Sequence, residues 1–109
     1  MDSPVIAHPR TARLYVIEHQ RLLREALHSI LCSDSTLQVV GEADSLNLET
    51  LASVEHDLLV IDCDPYGLNV RQIVHSIREG GITSKICILS TYGDPSVVSS
   101  ALSAGAEGY

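Results

Sequence analysis

Two hydrophobic rhythms alternate along this chain. Leu14–Tyr15–Val16–Ile17 is a short apolar run rich in β-branched residues, which suits a buried strand. Leu22, Leu23, Ala26, Leu27, Ile30 and Leu31 then recur at helical spacing and predict the inner stripe of an amphipathic helix from Arg21 to Cys32. Leu37–Gln38–Val39–Val40 predicts a second strand, ended by Gly41. Asp44 or Ser45 is the expected cap of a helix carrying Leu48, Leu51 and Val54. Leu58–Leu59–Val60–Ile61 is apolar without interruption up to Asp62, as in a strand covered on both faces. After the loop signals Pro65 and Gly67, Val70, Ile73, Val74 and Ile77 predict a third helix, stopped by Gly80–Gly81. Ile86–Cys87–Ile88–Leu89 predicts a fourth strand. Asp94 and Pro95 open a fourth helix with Val97, Val98, Ala101 and Leu102 inside and Gly105 at its end.

Strict alternation of strand and helix with short connections means a doubly wound parallel sheet with helices on both faces. Residues 1–12, with Pro4 and Pro9 and no periodicity, read as a flexible N-terminal lead. One domain is expected over residues 13–109. Ala106–Glu107–Gly108–Tyr109 stands where a fifth strand would start, so that domain is expected to lack most of its last strand and its last helix.

Charge and composition narrow the function. The net charge is −7 and Lys85 is the sole lysine, which speaks against direct nucleic-acid binding by this chain. No apolar run approaches the roughly 20 residues that span a bilayer, and no secretory leader pattern opens the chain, so a cytoplasmic location without membrane contact is expected. Cys32, Cys63 and Cys87 form no CxxC pair and are read as buried, reduced thiols. The five histidines show no metal-ligand spacing.

Open α/β sheets bind ligands outside the carboxyl ends of their strands. Glu18 and His19 follow the first strand there, Asp62, Cys63 and Asp64 the third, and Ser90 and Thr91 the fourth. Two carboxylates and a hydroxyl from three separate segments are thus expected at one sheet end.

Five segments, in order, carry a resemblance. Val16-Ile-Glu-His-Gln-Arg-Leu-Leu-Arg-Glu-Ala-Leu27 resembles the first strand and helix of response-regulator receiver domains, and Val39-Val-Gly-Glu-Ala43 the second strand of their NarL-type branch. Asp57-Leu-Leu-Val-Ile-Asp62 resembles the strand ending in the phosphoacceptor, Ile88-Leu-Ser-Thr-Tyr92 the strand ending in the switch hydroxyl, and Ala104-Gly-Ala-Glu-Gly-Tyr109 the approach to the switch aromatic. The resemblance implies a flavodoxin-like fold with strand order 2-1-3-4(-5). It implies a phosphoryl group accepted on Asp62, Mg²⁺ held by Glu18, Asp62 and the carbonyl of Asp64, Ser90 as the switch hydroxyl and Tyr109 as the switch aromatic. It implies a sensor histidine kinase as partner and partner binding or homodimerisation as output. DNA would be reached only through a further domain, and the chain itself is not an enzyme.

Three positions depart from the family pattern. His19 stands where a second acid is usual and weakens the Mg²⁺ set, because imidazole is a poor ligand for a hard cation. Pro65 falls one place early in its loop. The family lysine would fall three residues past Tyr109, and Lys85 begins a strand at the opposite sheet end. A phosphorylation-independent pseudo-receiver is therefore the alternative. A flavodoxin-like or thiol enzyme using Cys63 or Cys87 with His19 is a third reading; it lacks a glycine-rich phosphate loop.

Overall fold

The computed structural model describes residues 11–62 and 70–89, Val70 as backbone only. They form β1 (Ala12–Ile17), α1 (Arg21–Cys32), β2 (Leu37–Ala43), α2 (Leu48–Ser53), β3 (Leu58–Asp62), α3 (Val70–Glu79) and β4 (Lys85–Leu89). The expected fourth helix lies outside the described residues. β1 takes in Ala12, the last residue assigned to the lead. All strand pairs are parallel, as the alternating pattern predicts, and their order is β2-β1-β3-β4, as the resemblance implies.

The sheet separates two apolar layers. Tyr15, Ile17, Leu59, Ile61, Ile86 and Ile88 pack on one side against Leu51 of α2 and Val74 and Ile77 of α3. Leu14, Val16 and Val60 face the other side, where Leu27 and Leu31 of α1 cover them. The period of two along β1 and β3 sends alternate side chains to opposite layers, so these strands need apolar residues throughout.

β2 does not stop at Gly41. It continues to Ala43 through a bulge: Leu14 pairs with Val39, the next residue Tyr15 pairs with Gly41, and Val40 is the extra residue. Gly41 is required by close approach. A Cβ there would lie 2.4 Å from Cε2 of Tyr15, whose ring is buried. The bulge also exchanges the faces of β2. Leu37 and Val39 pack on the α1 side, whereas Ala43 packs on the α2/α3 side.

Two other expectations need correction. The cap of α2 is Asn47, whose side chain accepts from the Thr50 N–H at 3.1 Å, rather than Asp44 or Ser45. The predicted inner stripe of α1 is broader than its contact with the sheet. Leu27 and Leu31 pack inward, but Leu22 is 82% and Ile30 66% exposed, and Leu23 is exposed too. α1 is the one described helix on its side of the sheet, so an apolar stripe that wide has no neighbour to fill its outer half among the described residues. α3 ends as predicted, with Gly81 at φ +83°.

The N-terminal end of the sheet is tied by polar contacts. Asp57 accepts from the Arg13 backbone N–H at 2.9 Å and from its guanidinium at 3.1 Å, and Lys85 begins β4 beside it, far from the strand ends that carry Glu18 and Asp62.

Candidate functional site

Ile17 and Ile61 are register partners on adjacent parallel strands. Glu18 and Asp62 are the next residue on each, at the carboxyl end of the sheet. Neighbouring strands run about 4.8 Å apart, so the topology alone brings these two carboxylates together.

Glu18 is completely buried, yet it is an acid. Its backbone N–H donates to the Ala43 carbonyl at 2.9 Å, which ties the turn to the end of β2. Its carbonyl accepts from the Arg24 guanidinium at 2.8 Å, one turn into α1. Its Oε2 accepts from the Gln20 N–H at 2.9 Å. Gln20 makes no side-chain cap of its own, so the Glu18 carboxyl serves the unpaired N–H end of α1 instead. Oε1 is buried with no hydrogen-bond partner among the described residues.

Burial, followed by a hydrogen bond to Asp62, pushes the Glu18 carboxyl up to about 7. Repulsion from the Asp62 charge adds to this, while the Gln20 and His19 N–H groups pull the other way. Two acids sharing one pocket cannot both ionise freely. Asp62 is half-buried and ends β3, in register with Leu89 of β4. His19 is exposed beside the buried Glu18.

The structure thus brings together Glu18 and Asp62 of the predicted set. Asp64, Ser90 and Tyr109 lie outside the described residues, as does Cys63. Cys32 corrects an expectation: it is exposed rather than buried, in the last turn of α1, while Cys87 is half-buried in β4. Sequence reasoning gave Arg24 no role. Its place four residues after the cap position Gln20 is the signal that it could reach back to the Glu18 carbonyl.

Among the described residues no group of three or more His, Cys, Asp or Glu side chains is arranged to hold a metal. The two carboxylates nevertheless fit a hard cation. A buried carboxylate oxygen without a donor, next to a second acid, is the arrangement that a divalent ion would satisfy. No described helix is long and apolar enough to cross a membrane.

No family model matches the chain. Among curated proteins it is 35% identical over 104 residues to the uncharacterized transcriptional regulatory protein YvfU of Bacillus subtilis, covering 89% of this chain and 50% of that protein. It is 26% identical to the nitrate/nitrite response regulator NarL of Escherichia coli, covering 95% of this chain and 49% of that protein. The chain therefore spans about half the length of the curated relatives it matches. The structure superposes on the signal receiver domain of NarL from Mycobacterium tuberculosis with a TM-score of 0.80 at 27% identity, over 92% of this chain and 82% of that one. The strand order, the paired acids at the sheet end and these relatives lead to one family: the chain is a receiver domain of the NarL-type response regulators of two-component systems.

Proposed function

We propose that this receiver domain accepts a phosphoryl group on Asp62 and signals through a changed surface that a partner reads. The observation that carries this is the buried Glu18 carboxyl, one strand away from Asp62, with one oxygen unpartnered. Burying an acid without compensation is unfavourable, so a site that keeps one next to another acid is built for a charged ligand.

In this reading a carboxylate oxygen of Asp62 attacks the phosphorus of the donor. The donor's leaving group departs with the electron pair of the broken bond, and an acyl phosphate remains on Asp62. Glu18, Asp62 and the Asp64 carbonyl would hold Mg²⁺, whose charge offsets repulsion between the carboxylates and the incoming phosphoryl group. Gln20 and Arg24 fix the Glu18 turn, so its carboxyl is positioned before any ligand arrives. His19 in place of a second acid leaves the set one carboxylate short, and weaker binding of the cation follows. Ser90 would donate to a phosphoryl oxygen and Tyr109 would move with it, shifting the population of two surface states. A histidine kinase is the natural cytoplasmic donor. Output runs through pairing of copies or through a DNA-binding domain of a longer protein.

The test is to incubate the protein with MgCl₂ and acetyl phosphate and weigh it. A gain of one phosphoryl group that Asp62→Asn abolishes supports the proposal. No gain at any Mg²⁺ concentration, in this chain and in one extended by the following strand and helix, overturns it in favour of a phosphorylation-independent interaction module.

A further inference from the structure

A second constellation lies at the other end of α1, away from Glu18 and Asp62. Cys32 is in the last turn of α1 and is exposed. Its Sγ lies 3.4 Å from Nε2 of His28, one helical turn earlier. The other ring nitrogen of His28, Nδ1, is hydrogen-bonded to Glu42 on β2. Nucleophile, base and orienting carboxylate thus stand in line, from two separate elements.

The bulge in β2 makes this alignment. With plain alternation from Leu37 and Val39, which face α1, Glu42 would project toward the α2/α3 layer. The extra residue Val40 reverses the parity, sending Ala43 to the α2/α3 layer and Glu42 to the α1 side, within reach of His28. The carboxylate also selects the tautomer. An N–H at Nδ1 donates to Glu42, so Nε2 carries the lone pair and faces the thiol. That is the geometry by which a histidine takes the proton of a nucleophile, with a third group orienting it.

The set does not suit a metal. His28 uses one nitrogen on Glu42 and the other on Cys32, so the three groups point at one another and not at a common centre. It does not serve phosphoryl transfer either. Eleven residues of helix at about 1.5 Å each separate Cys32 from the start of α1. Cys87 is half-buried and burial pushes its thiol up, so it does not compete.

We propose that Cys32 is an activated thiol and a modification site, which low-molecular-weight disulfides cap through His28 and Glu42. The S–H proton passes to Nε2 of His28. The thiolate attacks one sulfur of the disulfide and forms a new S–S bond. The old S–S bond breaks, its electron pair leaves with the second sulfur, and that thiolate takes the proton from His28. One small disulfide is consumed, one small thiol is released, and Cys32 carries a mixed disulfide. The capped group sits on solvent-facing helix and blocks neither apolar layer.

The experiment uses Ellman's reagent, an aromatic disulfide, on a Cys63→Ser, Cys87→Ser chain at pH 7. The folded protein should react about tenfold faster than the same chain unfolded in urea, with glutathione calibrating the reagent in each solvent. His28→Asn and Glu42→Gln should bring the folded rate down to the unfolded one, and Glu42→Asp should keep most of the enhancement. Oxidised glutathione should then add one glutathionyl group, mapped to Cys32 by mass. If the serine variants fail to fold, brief labelling of the unaltered chain and peptide mapping should still rank Cys32 first. A folded rate no greater than the unfolded rate, or one that His28→Asn leaves unchanged, overturns the proposal.

Discussion

Glu18→Gln separates the demands of ligand binding from those of folding. In the ligand-free protein the Glu18 carboxyl sits at about 7, against 4.5 for an ordinary glutamate. A carboxyl raised by folding stabilises the fold when neutral. Its contribution is intact below the unfolded value and is lost as pH rises through the folded one. At about 1.4 kcal/mol per pH unit between those values, the ionised carboxylate costs the fold about 3 kcal/mol at pH 8. Glutamine removes that penalty. Its amide oxygen keeps the bond from the Gln20 N–H, and its NH₂ replaces repulsion of Asp62 with donation to it. In EDTA, urea unfolding at pH 8 should therefore show Glu18→Gln more stable than the parent by about 2–3 kcal/mol, since full burial leaves little screening. At pH 5 the gap should shrink to about 0.7 kcal/mol, and the parent alone should lose stability between these pH values. Mg²⁺ should raise the stability of the parent at pH 8 and leave the variant unmoved. Equal destabilisation of the variant at pH 5 and pH 8 would refute the account, because the burial of Glu18 would then carry no charge penalty.

Two further expectations concern the frame. Gly41→Ala drives a methyl to 2.4 Å from the buried Tyr15 ring, and overpacking of that kind costs about 1–3 kcal/mol by urea unfolding. Tyr15→Leu in the same chain should recover part of the loss, a coupling that altered strand propensity alone would not produce. Asn47→Ala removes the cap from α2 and should lower stability by about 1 kcal/mol in the same assay, while Asn47→Asp should match the parent.

The succession of parallel strands was legible because its cause is local, while their order came with the family resemblance. Uninterrupted apolar runs at β1 and β3 suit strands covered on both faces, and short crossovers leave few ways to connect them. Glu18 and Asp62 were legible as neighbours for the same reason: each is the first polar residue beyond such a run. The bulge was not legible, because a single extra residue leaves a hydrophobic pattern as apolar as before. Its trace is Gly41, which reads as a strand end until the Tyr15 ring across from it is seen. Nor was the outward half of α1: Leu22 and Ile30 have helical spacing, but spacing does not say how wide a neighbour is. The exposure of Cys32 escaped because a free cysteine is usually buried, and Glu42 reaches its neighbour His28 only through the bulge. The Asn47 cap was displaced from Asp44 and Ser45 because β2 runs further than Gly41 suggested, which pushes the start of α2 along the chain.

A last consequence concerns chain length at β2. Deleting Val40 would shorten this strand without turning it over. Gly41 would then follow Val39 directly and keep its place opposite Tyr15, so Glu42 would stay on the α1 side and Ala43 on the α2/α3 side, with the bulge flattened away. The facing of Glu42 thus depends on the bulge staying open and not on the residue count: an unbulged strand of the same sequence would aim that carboxylate at the apolar layer beneath Tyr15.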